Sequence, residues 1–243
     1  MSLTVRRRHW FAAWLLAAAL PPASAHAQSA IVRASCSLVQ DTLIRQRTPT
    51  LSYNTYPKGW AHSAVENIAG SWIETLLEFD VTSCLPVNAR VLEASLTLHV
   101  TNASTYTFEL YELLRTFSGT ATWHIPARDA AAWTQAGAMG AGNDYGARVG
   151  TIGPAGIGQL TVPLIASVVQ RWTGGTSASI VVRPTGTPGT NFAPVGLGFQ
   201  SKEHSSGQPP ALDVAYTLPA TSSFARRMDS SATSAQQRRP VVR

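Results

Sequence analysis

Charge is scarce in this chain of 243 residues: Asp, Glu, Lys and Arg make up 13% of it. Cysteine is scarcer, with Cys36 and Cys84 alone, and neither C-x-x-C nor H-x-x-x-H occurs. Those absences remove the common zinc motifs. No G-x-S-x-G elbow accompanies the many serines, and the six histidines are scattered, so no nucleophilic triad emerges. The glycine-rich G-A-M-G-A-G-N-D lacks the strand-then-helix context of a phosphate loop. The chain also lacks any apolar run of the roughly 20 residues that a membrane helix needs.

The longest apolar run, residues 10–20, follows Arg6, Arg7 and Arg8 and precedes Ala25-His26-Ala27. A positive flank, a short apolar stretch and an A-x-A site are the marks of a secretory signal. Residues 1–27 are therefore expected to leave on export, giving a secreted protein, extracellular or periplasmic, without a transmembrane segment. The body, residues 28–218, is long enough for one domain with a sizeable core. Residues 219–243, rich in Ser, Ala, Gln and Arg, offer no apolar face and read as a disordered basic tail.

The formal net charge of +6 does not describe the body. Three arginines lie in the signal and five in the tail, leaving 11 basic and 12 acidic side chains in residues 28–218, a net charge of −1. A nucleic-acid partner requires positive charge on the folded surface, so none is expected. In an oxidising compartment Cys36 and Cys84 are expected to bridge. The closed loop of about 47 residues would stabilise the fold by about 4 kcal/mol in the chain-entropy model.

Periodicity gives the fold class. Residues 73–86 read I-E-T-L-L-E-F-D-V-T-S-C-L-P, with Ile73, Thr75, Leu77, Phe79 and Val81 on one side of a strand and Glu74, Glu78 and Asp80 on the other, wet side. Residues 91–100 alternate again, placing Leu92, Ala94, Leu96, Leu98 and Val100 inward. Further strands are expected at 37–46, 106–113, 178–183, 195–201 and 211–217. Ile165, Val168, Val169 and Trp172 share one helical face, with Pro163 before them and Gly174-Gly175 after. Residues 116–158 show little periodicity and read as a long surface loop with one short strand or turn. Roughly eight strands and one short helix predict an all-β fold, a jelly-roll-like antiparallel β-sandwich.

The order D-T-L-I (41–44), T-L-L-E-F-D-V-T-S (75–83), Leu85-Pro86 and V-L-E-A-S-L-T-L (91–98) resembles the bacterial DNRLRE domain. Thr122-Trp123, Trp133, Gly137-Ala138, Asp144, V-V-Q-R-W-T-G-G (168–175), Ser201, Glu203, Pro210, Leu212, Val214 and Tyr216 keep that order across residues 36–217. The family is related to disaggregatase-type repeats and carbohydrate-binding modules. Two departures stand out: Glu74 occupies the place of the family's arginine, and Y-N-T-Y-P-K-G blurs its Asn-Tyr-Gly motif. The resemblance implies a jelly-roll-like sandwich, usually a non-catalytic accessory module of secreted or surface proteins.

Sugar faces stack on aromatic rings while nearby polar groups read the hydroxyls. Tyr53, Tyr56 and Trp60 lie in one loop with Lys58, and Trp133 and Tyr145 in another. These six are the candidate ligand-binding residues, with plain packing as the alternative for the aromatics; Trp123 and Trp172 fall beside strand or helix patterns and read as core. Glu78 and Asp80 sit two strand steps apart, about 7 Å, a separation that overlaps glycosidase pairs. Alternating acids on a wet strand face are the default of any half-exposed sheet, so no catalytic residue is assigned. Asn143 and Asp144, or Glu203, are candidate oxygen ligands for a structural calcium ion, against simple turn formation by Asn-Asp. The expected function is non-catalytic polysaccharide or surface-glycan binding; the alternative is a structural or adhesive surface protein that contacts other proteins.

Overall fold

The computed structural model describes residues 30–54, 60–65, 72–175, 178–186 and 195–219, with 60–65 and 195 described by their backbone. The expected signal, most of the basic tail, Tyr56, Lys58 and the side chain of Trp60 lie outside the described residues. Ten strands and two short helices follow in the order β1 (Ile31–Arg45), β2 (Trp60–Val65), β3 (Ile73–Phe79), α1 (Val81–Cys84), β4 (Arg90–Asn102), β5 (Phe108–Leu113), β6 (Tyr145–Ile152), β7 (Gly158–Leu164), α2 (Ala166–Trp172), β8 (Ser179–Pro184), β9 (Val195–Gln200) and β10 (Ala211–Thr217). Neither helix is long and apolar enough to cross a membrane.

The all-β class holds. Eight strands close into an antiparallel barrel, β10-β1-β3-β8-β5-β6-β7-β4, with β4 pairing back onto β10. β9 and then β2 extend the sheet from β4 beyond the ring. β1 is long enough to serve two neighbours. Its residues 31–37 pair with β10 and its residues 38–45 with β3, and a register shift between Leu38 and Gln40 marks the change. A bulge of this kind bends a strand and lets it turn a corner.

The interior is filled by Leu77 and Phe79 of β3, Leu96, Leu98 and Val100 of β4, Phe108 and Leu110 of β5, Ile180 and Val182 of β8, and Leu212, Val214 and Tyr216 of β10. Trp172 of α2 closes this core, fully buried, with its indole N–H donating to Glu112 Oε1 at 3.0 Å. Arg171 reaches the other oxygen of Glu112 at 2.6 Å. Cys36 and Cys84 form a disulfide, Cα–Cα 5.3 Å, which ties β1 to α1. Asp80 caps α1, accepting the Ser83 amide at 3.0 Å.

Three expectations are corrected. β3 does not have a wet side at its start: Glu74 is fully buried and Leu76 lies opposite the barrel core. On β4, Val91 is buried and Leu92 is 38% exposed, because a register shift against β10 between Ala215 and Tyr216 breaks the alternation. Residues 116–158 do hold the expected short strand, β6, but are not a surface loop, because Phe117, Ala121, Trp123, Trp133 and Ala138 build a second core.

That second core lies on the outer face of the barrel wall. Ile44, Trp72, Leu76, Leu113 and Val181 project from the wall, and Phe117, Ala121, Trp123, Trp133 and Ala138 cover them. Gly137 supplies the turn that makes the covering segment fit: its φ is +84°, and a Cβ there would sit 2.4 Å from the Trp123 ring. Between the layers, Arg183 donates to Glu74 Oε2 at 3.0 Å and to the Ala138 carbonyl at 3.1 Å, and Trp72 donates to Glu74 Oε1 at 3.0 Å. Burial pushes the Glu74 carboxyl up to about 7, against the pull of Arg183 and Trp72.

Candidate functional site

With one outer face of the barrel covered, the opposite wall is left open among the described residues. In a strand, side chains alternate between faces, so the residues that do not fill the core of β10, β4, β7 and the start of β1 all point outward together. They are Arg33 and Ser35 on β1, Asp213 and Ala215 on β10, Glu93, Ser95 and Thr97 on β4, and Gln159, Thr161 and Pro163 on β7. The registers line Ser35, Asp213, Ser95 and Pro163 across the four strands, and Arg33, Ala215 and Glu93 across three. All ten line one open trough of about 810 Å³, inside the usual range for ligand sites.

Small side chains make the trough. Ser35, Ser95 and Ala215 cannot rise far above the sheet, so its backbone forms the floor. Asp213 sits near the centre, half-buried, and accepts the Thr97 hydroxyl at 2.7 Å on Oδ2. That bond fixes the carboxylate while leaving acceptor capacity for a hydroxyl donor. Gln159 and Thr161 add exposed amide and hydroxyl groups on the β7 side. At the rim Arg33 and Glu93 pair loosely at 3.8 Å, with side chains 79% and 74% exposed. Leu92 and Pro163 supply apolar surface, and among the described residues no aromatic ring lines the trough. Such a surface can hydrogen-bond a polyhydroxylated ligand lying along the sheet.

No protein-family model matches this chain, and no curated protein resembles it in sequence.

The residues singled out from sequence do not come together there. Tyr53 is half-buried beyond β1, its hydroxyl bonded to that of Thr48. Trp60 opens β2 opposite Gln200. Trp133 is corrected from a binding platform to a core residue: it is 4% exposed, its indole N–H donates to the Thr122 carbonyl at 3.0 Å, and the Arg115 guanidinium covers its ring at 5.5 Å. Tyr145 is half-buried, edge-on to Tyr111 at 4.9 Å with the Arg183 guanidinium 4.5 Å from its ring. Both rings are occupied by protein.

Asp144 is likewise corrected from a calcium ligand to a loop organiser. Its buried carboxylate accepts the amides of Thr134 (2.9 Å, Oδ1), Gln135 (3.0 Å, Oδ2) and Gly140 (2.9 Å, Oδ2), with Arg115 at 3.7 Å. Burial pushes its carboxyl upward, and the amide bonds from Gln135, Thr134 and Gly140 more than offset this, so the group ends below its ordinary value. Amide donors aimed at both oxygens are the opposite of a cation site. Asn143 is exposed in the same turn. Among the described residues no group of three or more His, Cys, Asp or Glu side chains converges as a metal site. Glu78 and Asp80 are also engaged: Gln40 donates to Glu78 Oε2 at 2.5 Å, and Asp80 is the α1 cap.

Sequence reasoning missed the trough because its residues come from four separate strands and none is aromatic. The available signal was subtle. The wet positions of residues 33–37, 93–97, 159–163 and 213–215 are dominated by small and polar side chains, where an ordinary exposed sheet face carries long charged ones.

Proposed function

We propose that this chain is a secreted, non-catalytic carbohydrate-binding module, a jelly-roll-like β-sandwich of the DNRLRE type, that holds a polysaccharide or surface glycan in the trough over β10, β4 and β7. The carrying observation is the trough: an open concave sheet face with a small-residue floor and an oriented carboxylate, Asp213, at its centre. A carboxylate fixed by Thr97 can accept hydrogen bonds from two hydroxyls of one sugar ring, while Gln159 and Thr161 reach neighbouring hydroxyls. Asp213 also repels acidic sugars, so a neutral polysaccharide fits better than a uronate polymer. The leader-like residues 1–27 and the order of family motifs support the same reading. Tyr53, Tyr56 and Trp60, with Lys58, are the second candidate contact for the same glycan.

The test is affinity electrophoresis and a glycan array with the mature chain, Asp213→Ala, and the double variant Tyr56→Ala/Trp60→Ala. Neutral-glycan binding should weaken at least about tenfold in Asp213→Ala, the loss of roughly one charge-assisted hydrogen bond, and persist in the double variant. Absence of binding to any glycan sinks the function. Loss in the double variant alone moves the site to the aromatic loop.

One observation favours a second reading, that of a structural or adhesive surface protein. Arg33 and Glu93 stand side by side, both largely exposed, at the rim of the small-residue trough. A second protein surface could dock there with those charges exchanged between partners. Concentration-dependent association without sugar, lost on Glu93→Arg and regained with Arg33→Glu/Glu93→Arg, would favour it.

A further inference from the structure

The inner face of the barrel holds a second unusual carboxylate, away from the trough. Asp41 sits on β1 opposite Leu77 of β3 and is 4% exposed. One oxygen, Oδ2, accepts the Lys202 amide at 3.3 Å; the other, Oδ1, has no hydrogen-bond partner. Glu203, in the exposed turn after β9, follows Lys202 in the chain, and its negative charge bears on Asp41. The ammonium of Lys202 lies near the pair, yet it donates to the Val39 carbonyl and not to a carboxylate. The local count is two carboxylates against one ammonium whose hydrogen bond goes elsewhere.

A second, independent group points to the same place. Thr75, 1% exposed, has a hydroxyl with no hydrogen-bond partner. It faces Leu43 across the β1–β3 register, while Asp41 faces Leu77, so Thr75 and Asp41 share the inward face as diagonal neighbours. Diagonal pairs lie about 7 Å apart at the backbone, a gap that one cation can span with oxygen ligands at about 2.4 Å on either side. Buried polar atoms are seldom left without partners in native proteins, and here two such oxygens, of Asp41 and Thr75, share the inward face of neighbouring strands.

We propose that Asp41, Glu203 and Thr75 form a site for one hard divalent cation, with calcium the best fit, which fastens the turn after β9 to the inner end of β1. One buried carboxylate, one exposed carboxylate and a hydroxyl leave room for water and suit the flexible coordination of calcium better than the strict octahedron of magnesium. The exposed Glu203 gives the ion a path from solvent.

The experiment uses the mature chain stripped with chelator and titrated with CaCl2, or with MgCl2, while its melting temperature and binding heat are recorded. The expected result is a saturable rise in melting temperature with calcium, a smaller one with magnesium, and a stoichiometry of one. Asp41→Asn and Glu203→Gln should each weaken calcium at least tenfold. Glu203 is exposed, so Glu203→Gln folds even if Asp41→Asn does not. Asp144→Asn, whose carboxylate is held by amides, should keep the calcium-dependent rise. No response to either metal overturns the site. An unchanged response in Glu203→Gln overturns the assignment of ligands. Neither outcome depends on whether the trough binds sugar.

Discussion

Replacing Asp144 by alanine tests how the second core is held. Three amides, of Thr134, Gln135 and Gly140, lose their only acceptor side chain, and Arg115 loses its partner at 3.7 Å. A buried donor left unsatisfied costs about 1–3 kcal/mol. Partial exposure of the relaxed loop reduces the sum, so the expected loss is about 3–5 kcal/mol, a large share of the about 5–15 kcal/mol available to a domain. Asp144→Asn should cost less. Its amide oxygen can take the Oδ2 position and keep Gln135 and Gly140, leaving only Thr134 facing an N–H. Urea unfolding followed by tryptophan fluorescence and far-UV circular dichroism measures both. In Asp144→Ala the native fluorescence should also shift red, because Trp123 and Trp133 lie under the loop. A midpoint change equivalent to less than about 1 kcal/mol would refute the organiser role, since it would mean the three amides find water at no cost. A loss seen only with calcium present would restore Asp144 as a ligand.

Further outcomes are expected. In chelator, stability should fall as pH rises from about 4 to about 7. Asp41 keeps its proton in the folded state up to about 7 but only to 3.8 when unfolded, so the folded chain binds more protons across that window, and stability is greatest at its acid end. Melting temperatures from pH 4.5 to 8 should show this slope, flattened in Asp41→Asn although Glu74 contributes the same sign. Below pH 4 the direction reverses as Asp144, held below its ordinary value, becomes protonated. Reduction of Cys36–Cys84, separated by 48 positions, should cost about 4 kcal/mol, read as a lower calorimetric midpoint. Gly137→Ala combines a positive φ with a clash on Trp123 and should cost more than about 2 kcal/mol by urea titration.

The fold was more legible than the site, for a physical reason. Strands with one buried face, such as β10 and the middle of β4, write their structure as period-two alternation, and α2 wrote its own at period 3.6. β3 was misread on one face because Glu74 is charged, and composition alone cannot reveal that Arg183, 109 positions away, and Trp72 will bury it. β7 was overlooked: G-Q-L-T-V-P-L contains a proline that suggested the start of the helix. Pro163 instead points outward into the trough. The aromatic residues misled in the opposite direction. Trp133 looked available because its segment has no periodicity, yet an irregular segment can be packed as tightly as a strand when a carboxylate such as Asp144 gathers its amides. The trough itself is a property of four strands in register, and registers are set by bulges at Val39 and near Leu92 that no local pattern announces.

The ring of eight strands closes between β6 and β7 through a single register pair, Gly150 with Leu164, supported by the Ile165 amide on the Val149 carbonyl at 2.8 Å. A Cβ at Gly150 would lie 2.9 Å from the Pro163 carbonyl, so the approach depends on glycine. A hoop fastened by one stitch has a built-in parting line. Under tension or heat this molecule should open like a hinged book along that line, with the disulfide at the far side acting as its spine.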